Sequence, residues 1–116
     1  MSSDIIYHIA QAQDWHAAGV MGSYVPPGFA SDGFIHCCAA NQIAEVGNRY
    51  FRGEADLVLL CIDPQHVAAE VRYEDLTGRG IAYPHIYGPL DLAAVHAVLP
   101  FSPEPDGAFT PPSDLP

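Results

Sequence analysis

The sequence predicts an α+β domain built from small mixed or antiparallel sheets with a few short helices. Two observations carry that expectation. Apolar runs of strand length recur along the chain, whereas helical spacing is confined to a few short stretches. The 116 residues, 49% of them apolar, can also bury a core in one domain without disulfides or a metal.

Residues 5–10 are apolar and rich in strand formers, and read as a first strand. Residues 11–19 follow as a short helix with Trp15, Ala17 and Ala18, stopped by Gly19. The segment 23–33, with Pro26, Pro27 and Gly28, reads as a loop, and 34–38 as a short buried strand. Asn41 is a suitable N-cap for a helix in which Ile43, Val46, Tyr50 and Phe51 recur at helical spacing and which ends at Gly53. The continuous apolar run 57–62 predicts a central strand buried on both faces.

Asp63 and Pro64 open a turn that extends as one helical turn to Ala68. Alternation over 70–74 predicts a half-exposed strand, and 76–80 is a glycine-containing turn. Residues 81–86 are extended, Tyr87-Gly88-Pro89 turns, and 92–99 carries an element ending as a strand. From Pro100 onward, prolines at 103, 105, 111, 112 and 116 mark an irregular tail, either draped over the sheet through Phe101 and Phe109 or frayed. The expected organisation is one globular domain over 1–101 and a proline-rich tail over 102–116, with no internal repeat.

Fourteen acidic residues stand against four arginines and no lysine, for a net charge of -10. Such a surface repels phosphate backbones and disfavours general nucleic-acid binding. One well-placed arginine can still hold a small anion. The missing lysine removes Schiff-base chemistry and a phosphate-loop lysine. No apolar run approaches the roughly 20 residues of a bilayer span, and Met1-Ser2-Ser3-Asp4 lacks the pattern of a secretory signal. A cytoplasmic protein without membrane attachment is expected; no pattern sets an oligomeric state.

The odd set Cys37, Cys38 and Cys61 reads as free thiols. As strand neighbours, Cys37 and Cys38 point to opposite faces, one to the core and one to a pocket or second layer. Zinc-type Cys-x-x-Cys spacing is absent, so no metal is expected.

Two segments stand out for chemistry: Asp32-Gly33-Phe34-Ile35-His36-Cys37-Cys38 and Tyr83-Pro84-His85-Ile86-Tyr87-Gly88-Pro89. Each sets a histidine among apolar and aromatic residues, beside glycine or proline that fixes the backbone. They look like two halves of one polar pocket. His36 reads as a ligand-orienting or proton-handling residue, or as a core histidine satisfied by backbone. His85 with Tyr87 reads as a site wall or as a structural corner. Glu74 reads as a catalytic carboxylate or a solvated strand end. Arg49 complements the dipole of its helix and is the best anion-binding candidate. His8, His16, His66 and His96 occupy less distinctive settings.

These residues also carry a family resemblance. Tyr7-His8-Ile9, Trp15 with Ala18, Gly33-Phe34-Ile35-His36-Cys37, residues 57–63, Tyr73-Glu74 and Pro84-His85-Ile86-Tyr87-Gly88-Pro89-Leu90 occur in order across about residues 5–109. In this the chain resembles the small bacterial family catalogued as domain of unknown function 952. That family is grouped by fold with the ADP-ribosyltransferase-like superfamily.

The resemblance implies two small sheets around a central cleft that binds NAD in active relatives. There a strand-borne histidine or arginine holds the nicotinamide ribose, an aromatic residue stacks on the nicotinamide, and a glutamate completes the site. His36 matches the first position, Tyr50 or Phe51 the second, and Glu74 the third, beside the family's own His85 and Tyr87. Arg49 would meet a phosphate. Cys38 stands where the family usually has a serine, and Tyr83 where it has a phenylalanine.

The expectation is thus a nucleotide-like ligand, NAD or ADP-ribose, with NAD bound as substrate by an ADP-ribosyl- or phospho-transferase. A non-catalytic small-molecule or partner-binding module is the alternative. A metal-dependent hydrolase using His36 and His85 is a third reading.

Overall fold

The apolar run Leu57–Ile62 (β4) lies at the centre of the main sheet, flanked by Ile6–Gln11 (β1) and Val95–Phe101 (β8) in the order β1-β4-β8. The computed structural model of the protein describes residues 5–113 and 115–116. Both ladders of this sheet are antiparallel, with His8 opposite Leu60 and Leu59 opposite Leu99. Because alternate side chains of β4 leave by opposite faces, the strand feeds two cores. Leu60 and Ile62 pack with Ile6, Ala10, Ile35 and Ile86, whereas Leu59 and Cys61 pack with Tyr7, Ile43, Phe101 and Phe109.

A second sheet joins Ile35–His36 (β3), Tyr83–Ile86 (β6) and Val71–Glu74 (β5) in the order β3-β6-β5. A third is the short pair Ser23–Tyr24 (β2) and Leu90–Asp91 (β7). Three sheets therefore stand where two were implied, and every pairing among the described residues is antiparallel. Residues 35–38 stitch the two larger sheets together. Ile35 and His36 pair with β6, and Cys38 then exchanges two hydrogen bonds with Tyr7 of β1, at 2.8 and 2.7 Å.

Among the described residues, three α-helices complete the fold: Ala12–Met21 (α1), Phe29–Asp32 (α2) and Ile43–Tyr50 (α3). The first passes Gly19 and stops only at Gly22, whose φ of 90° lets its N–H reach the Ala18 carbonyl at 2.9 Å. The expected loop 23–33 contains β2 and α2. Its prolines end at Pro27, and the four residues 29–32 make one helical turn before Gly33. Asn41 is not a helix cap. It lies in a 3-10 turn, Ala40–Gln42, in which the Gln42 side chain accepts the Ala39 N–H at 2.8 Å, and α3 begins after it.

The chain after Leu92 carries the expected element ending as a strand, which runs two residues further than expected. A 3-10 turn, Leu92–Ala94, leads into β8, which carries Pro100 and Phe101 as strand residues. Pro100 is tolerated because β8 is an edge strand. Phe109 is buried and stacks on Phe101, ring centroids 4.5 Å apart. Asn48 on α3 holds it from both sides, accepting its N–H at 2.7 Å and donating to its carbonyl at 3.0 Å. Among the described residues, no helix is long and apolar enough to cross a membrane.

Candidate functional site

The register of β3 and β6 sets His36 directly opposite His85. Residues paired in this way point to the same face of a sheet, and the two rings stand edge-on, 5.6 Å between centroids. Phe34 packs against both, 4.2 Å from the His85 ring in a stacked arrangement and 4.6 Å from His36. His85 is buried and His36 is exposed. Pro84 fixes an extended approach to His85, and its carbonyl accepts the Cys37 N–H at 3.0 Å.

Each histidine is held by a carboxylate. The Nε2–H of His36 donates at 3.0 Å to Oδ2 of Asp32, the last residue of α2. The Nδ1–H of His85 donates to Glu74 Oε1 at 2.9 Å, and the Tyr87 hydroxyl donates to the same oxygen at 2.6 Å. The Tyr87 hydroxyl and then His85 hold the Glu74 carboxyl below its ordinary range, and the same bond pushes the Tyr87 phenol up. The Arg72 guanidinium lies over the Tyr87 ring, 4.4 Å from its centroid. With Nδ1 committed to Glu74, Nε2 is the His85 nitrogen left for a ligand. Both bonds fall on Glu74 Oε1, so Oε2 is the oxygen left for one.

His36, His85, Asp32, Glu74 and Phe34 line a cleft of about 640 Å³, a volume that suits a nucleotide-sized molecule, whereas Tyr87 and Arg72 lie outside its lining. Its wall includes His36, His85, Glu74, Tyr50, Phe51 and Phe34. It also includes His8, which nothing in its local sequence singled out. His8 is buried on the face of β1 shared with Ile6 and Ala10, and both ring nitrogens are engaged. Its Nδ1–H donates to the His36 carbonyl at 2.6 Å, so Nε2 must accept, and the Tyr24 hydroxyl donates to it at 2.8 Å. Burial pushes the His8 imidazole down to about 4, so it stays neutral near pH 7. The signal was its position: a polar ring between Ile6 and Ala10 on a buried strand needs partners.

The other candidates fall elsewhere. Tyr50 is exposed at the cleft mouth. Cys38 lies on the wall but is buried in the Tyr7 bridge, and burial pushes its thiol up to about 12. Cys37 and Cys61 are pushed up by the same cause, so none of the three favours the thiolate. Arg49 does not line the cleft. It reaches Glu45, one helical turn back, at 3.2 Å, as a cation near a helix end does.

Arg79 was not singled out, yet it contacts a residue of the cleft wall. It donates to the hydroxyl of Tyr83, a wall residue, at 3.1 Å and to Glu45 at 3.4 Å. Asp75 positions it by accepting the N–H groups of Gly78, Arg79 and Gly80 across the loop. Glu45 thus stands between two arginines at the rim. Among the described residues, no group of three or more histidine, cysteine or acidic side chains is gathered to hold a metal ion.

A crystal structure of protein CC0527 from Caulobacter crescentus is similar to this chain, with 32% identity, a TM-score of 0.83, and 91% of this chain and 93% of that one covered. A solution structure of the same bacterial protein is similar at 31% identity and a TM-score of 0.71, covering 92% of each chain. No curated protein matches the chain. The model of the family described as protein of unknown function (DUF952) matches residues 9–98, which hold His36, Glu74, His85 and Tyr87. The chain belongs to the DUF952 family.

Proposed function

We propose that this is a cytoplasmic domain that binds NAD or an ADP-ribose-like nucleotide in the histidine-lined cleft, with a fold of the ADP-ribosyltransferase-like kind. One observation carries the reading. A buried histidine, His85, is oriented by Glu74 and stands beside a second histidine, His36, on one wall of a cleft of nucleotide size.

In that arrangement the nicotinamide ribose lies against the wall that the two rings share. The phosphates lie toward the rim, where Arg79 and Arg49 flank Glu45. If the bond between nicotinamide and ribose is cleaved, nicotinamide departs with the bonding electrons and C1 of the ribose becomes cationic. Glu74 Oε2 opposes that charge. His85 Nε2 takes the proton from the attacking hydroxyl, while Glu74 Oε1 supports the imidazolium that forms. The transfer is then a substitution at C1, with nicotinamide and one proton released.

Titration calorimetry with NAD and ADP-ribose, repeated on His36→Ala and His85→Ala, tests the reading. Binding to wild type that both variants weaken is the expected result, and no binding to wild type overturns it. Binding without release of nicotinamide over a long incubation assigns the cleft to a non-catalytic module. One feature favours that second reading: no arginine lines the cleft itself.

A further inference from the structure

Histidines aside, the charged side chains that line the cleft among the described residues are all acidic, and one of them, Asp32, is paired with His36. Asp14 enters from the first turn of α1, Asp32 from the end of α2 and Glu74 from the end of β5, so the three carboxylates reach it from separate elements. Three hydrogen-bond donors on the same wall are already used within the protein. Thr77 donates to Asp75, Tyr83 to Glu45, and the Gln11 amide to Glu54. The Tyr24 hydroxyl gives its proton to His8 and keeps only acceptor capacity. His85 in its neutral form likewise presents an acceptor at Nε2, because its other nitrogen donates to Glu74. The phenols of Tyr7 and Tyr50 can serve either way. Between these groups stand the rings of Phe34, one face of which is stacked on His85, and Phe51.

Aromatic faces attract cations, and carboxylates reached from several sides add to the attraction. The same wall repels anions and leaves a neutral ligand without charge complementarity. We infer that the cleft interior selects a flat, positively charged organic ring that carries N–H donors, and discriminates against its neutral and anionic isosteres. The inference rests on the cleft being a ligand site, as proposed above, and names the charge of the ligand part that enters it. The phosphates of a dinucleotide would stay at the rim, outside this selection.

Benzamidine, benzamide and benzoate have nearly the same shape and are respectively cationic, neutral and anionic at pH 7.5. Titrating each into the intact protein, followed by amide shifts in a 1H–15N spectrum, separates charge from shape. The expected order is benzamidine tighter than benzamide by about tenfold or more, with benzoate weakest. The double variant Asp14→Asn, Asp32→Asn should lose most of that preference while keeping a folded spectrum. Equal affinities, a preference for benzoate, or a preference unchanged in the double variant each overturns the inference. If that variant unfolds, Glu74→Gln serves in its place under the same criterion. NAD binding with no benzamidine preference sinks the inference alone. A benzamidine preference without NAD or ADP-ribose binding sinks the nucleotide reading alone.

Discussion

Glu74 Oε1 accepts two hydrogen bonds, from His85 Nδ1 at 2.9 Å and from the Tyr87 hydroxyl at 2.6 Å. One carboxylate oxygen therefore fixes both the tautomer and the direction of the His85 ring, and the edge of Tyr87 braces it. Removing the charge should loosen this arrangement more than removing the brace.

On that basis Glu74→Gln should weaken ADP-ribose binding about tenfold, and Tyr87→Phe by a smaller factor. Calorimetry on the two variants gives the ratio. Wild-type affinity in Glu74→Gln would show that the carboxylate does not set the site.

His8 makes folding sensitive to mild acid. Its folded-state value of about 4 lies below the ordinary 6.5, so between them the unfolded chain holds the extra proton. Stability is therefore lost as pH falls from about 6.5 toward 4, by on the order of 3 kcal/mol in full. Glu74 and Asp75 have lowered values, so the stability they contribute is present above the ordinary carboxylate range and is lost only at lower pH, as they protonate. Urea unfolding at pH 6.5 and pH 5 should show the fall in wild type and a smaller one in His8→Gln. Equal slopes in the two proteins would exclude His8 as the cause.

The Tyr87-Gly88-Pro89 turn needs glycine for space. A Cβ on Gly88 would lie 2.7 Å from the Cβ of Ala69, inside contact distance. Gly88→Ala should cost about 1–3 kcal/mol, read from the urea midpoint. Combining it with Ala69→Gly should recover part of the loss. No recovery would place the strain elsewhere.

The thiols should be unreactive in the folded protein, since burial raises all three above their ordinary range. Ellman's reagent should label Cys37, Cys38 and Cys61 slowly under native conditions and fully in denaturant. Fast native labelling of any one would show an opening that the fold does not display.

How much of this was legible in the sequence depended on how local the cause was. The strand at 57–62 announced itself because burial on both faces needs an unbroken apolar run, and β4 is central. The elements β2 and α2 were hidden because two and four residues are too few to show a period. Gly19 looked like a helix stop, but Gly22 holds the left-handed conformation that ends α1.

In the site, His36 and His85 were visible from their rigid local settings, and their cross-strand pairing required the register. His8 was passed over because its partners lie 16 and 28 residues away. Arg49 drew attention as one of four cations, but its nearest acid was one turn away on its own helix. Arg79 sat in a turn whose order comes from Asp75 accepting backbone N–H groups, a pattern that composition does not reveal.

The stitch at residues 35–38 has a mechanical consequence. One short segment pairs with β6 at His36 and with β1 at Cys38, and the His36 carbonyl also accepts from His8 on β1. The two sheets are thereby riveted at the floor of the cleft and cannot swing apart like jaws. A ligand must pass the mouth instead, beside the Asp75–Arg79 loop and the exposed ring of Tyr50. The selectivity proposed for this cleft would then rest on the shape and charge that it already has.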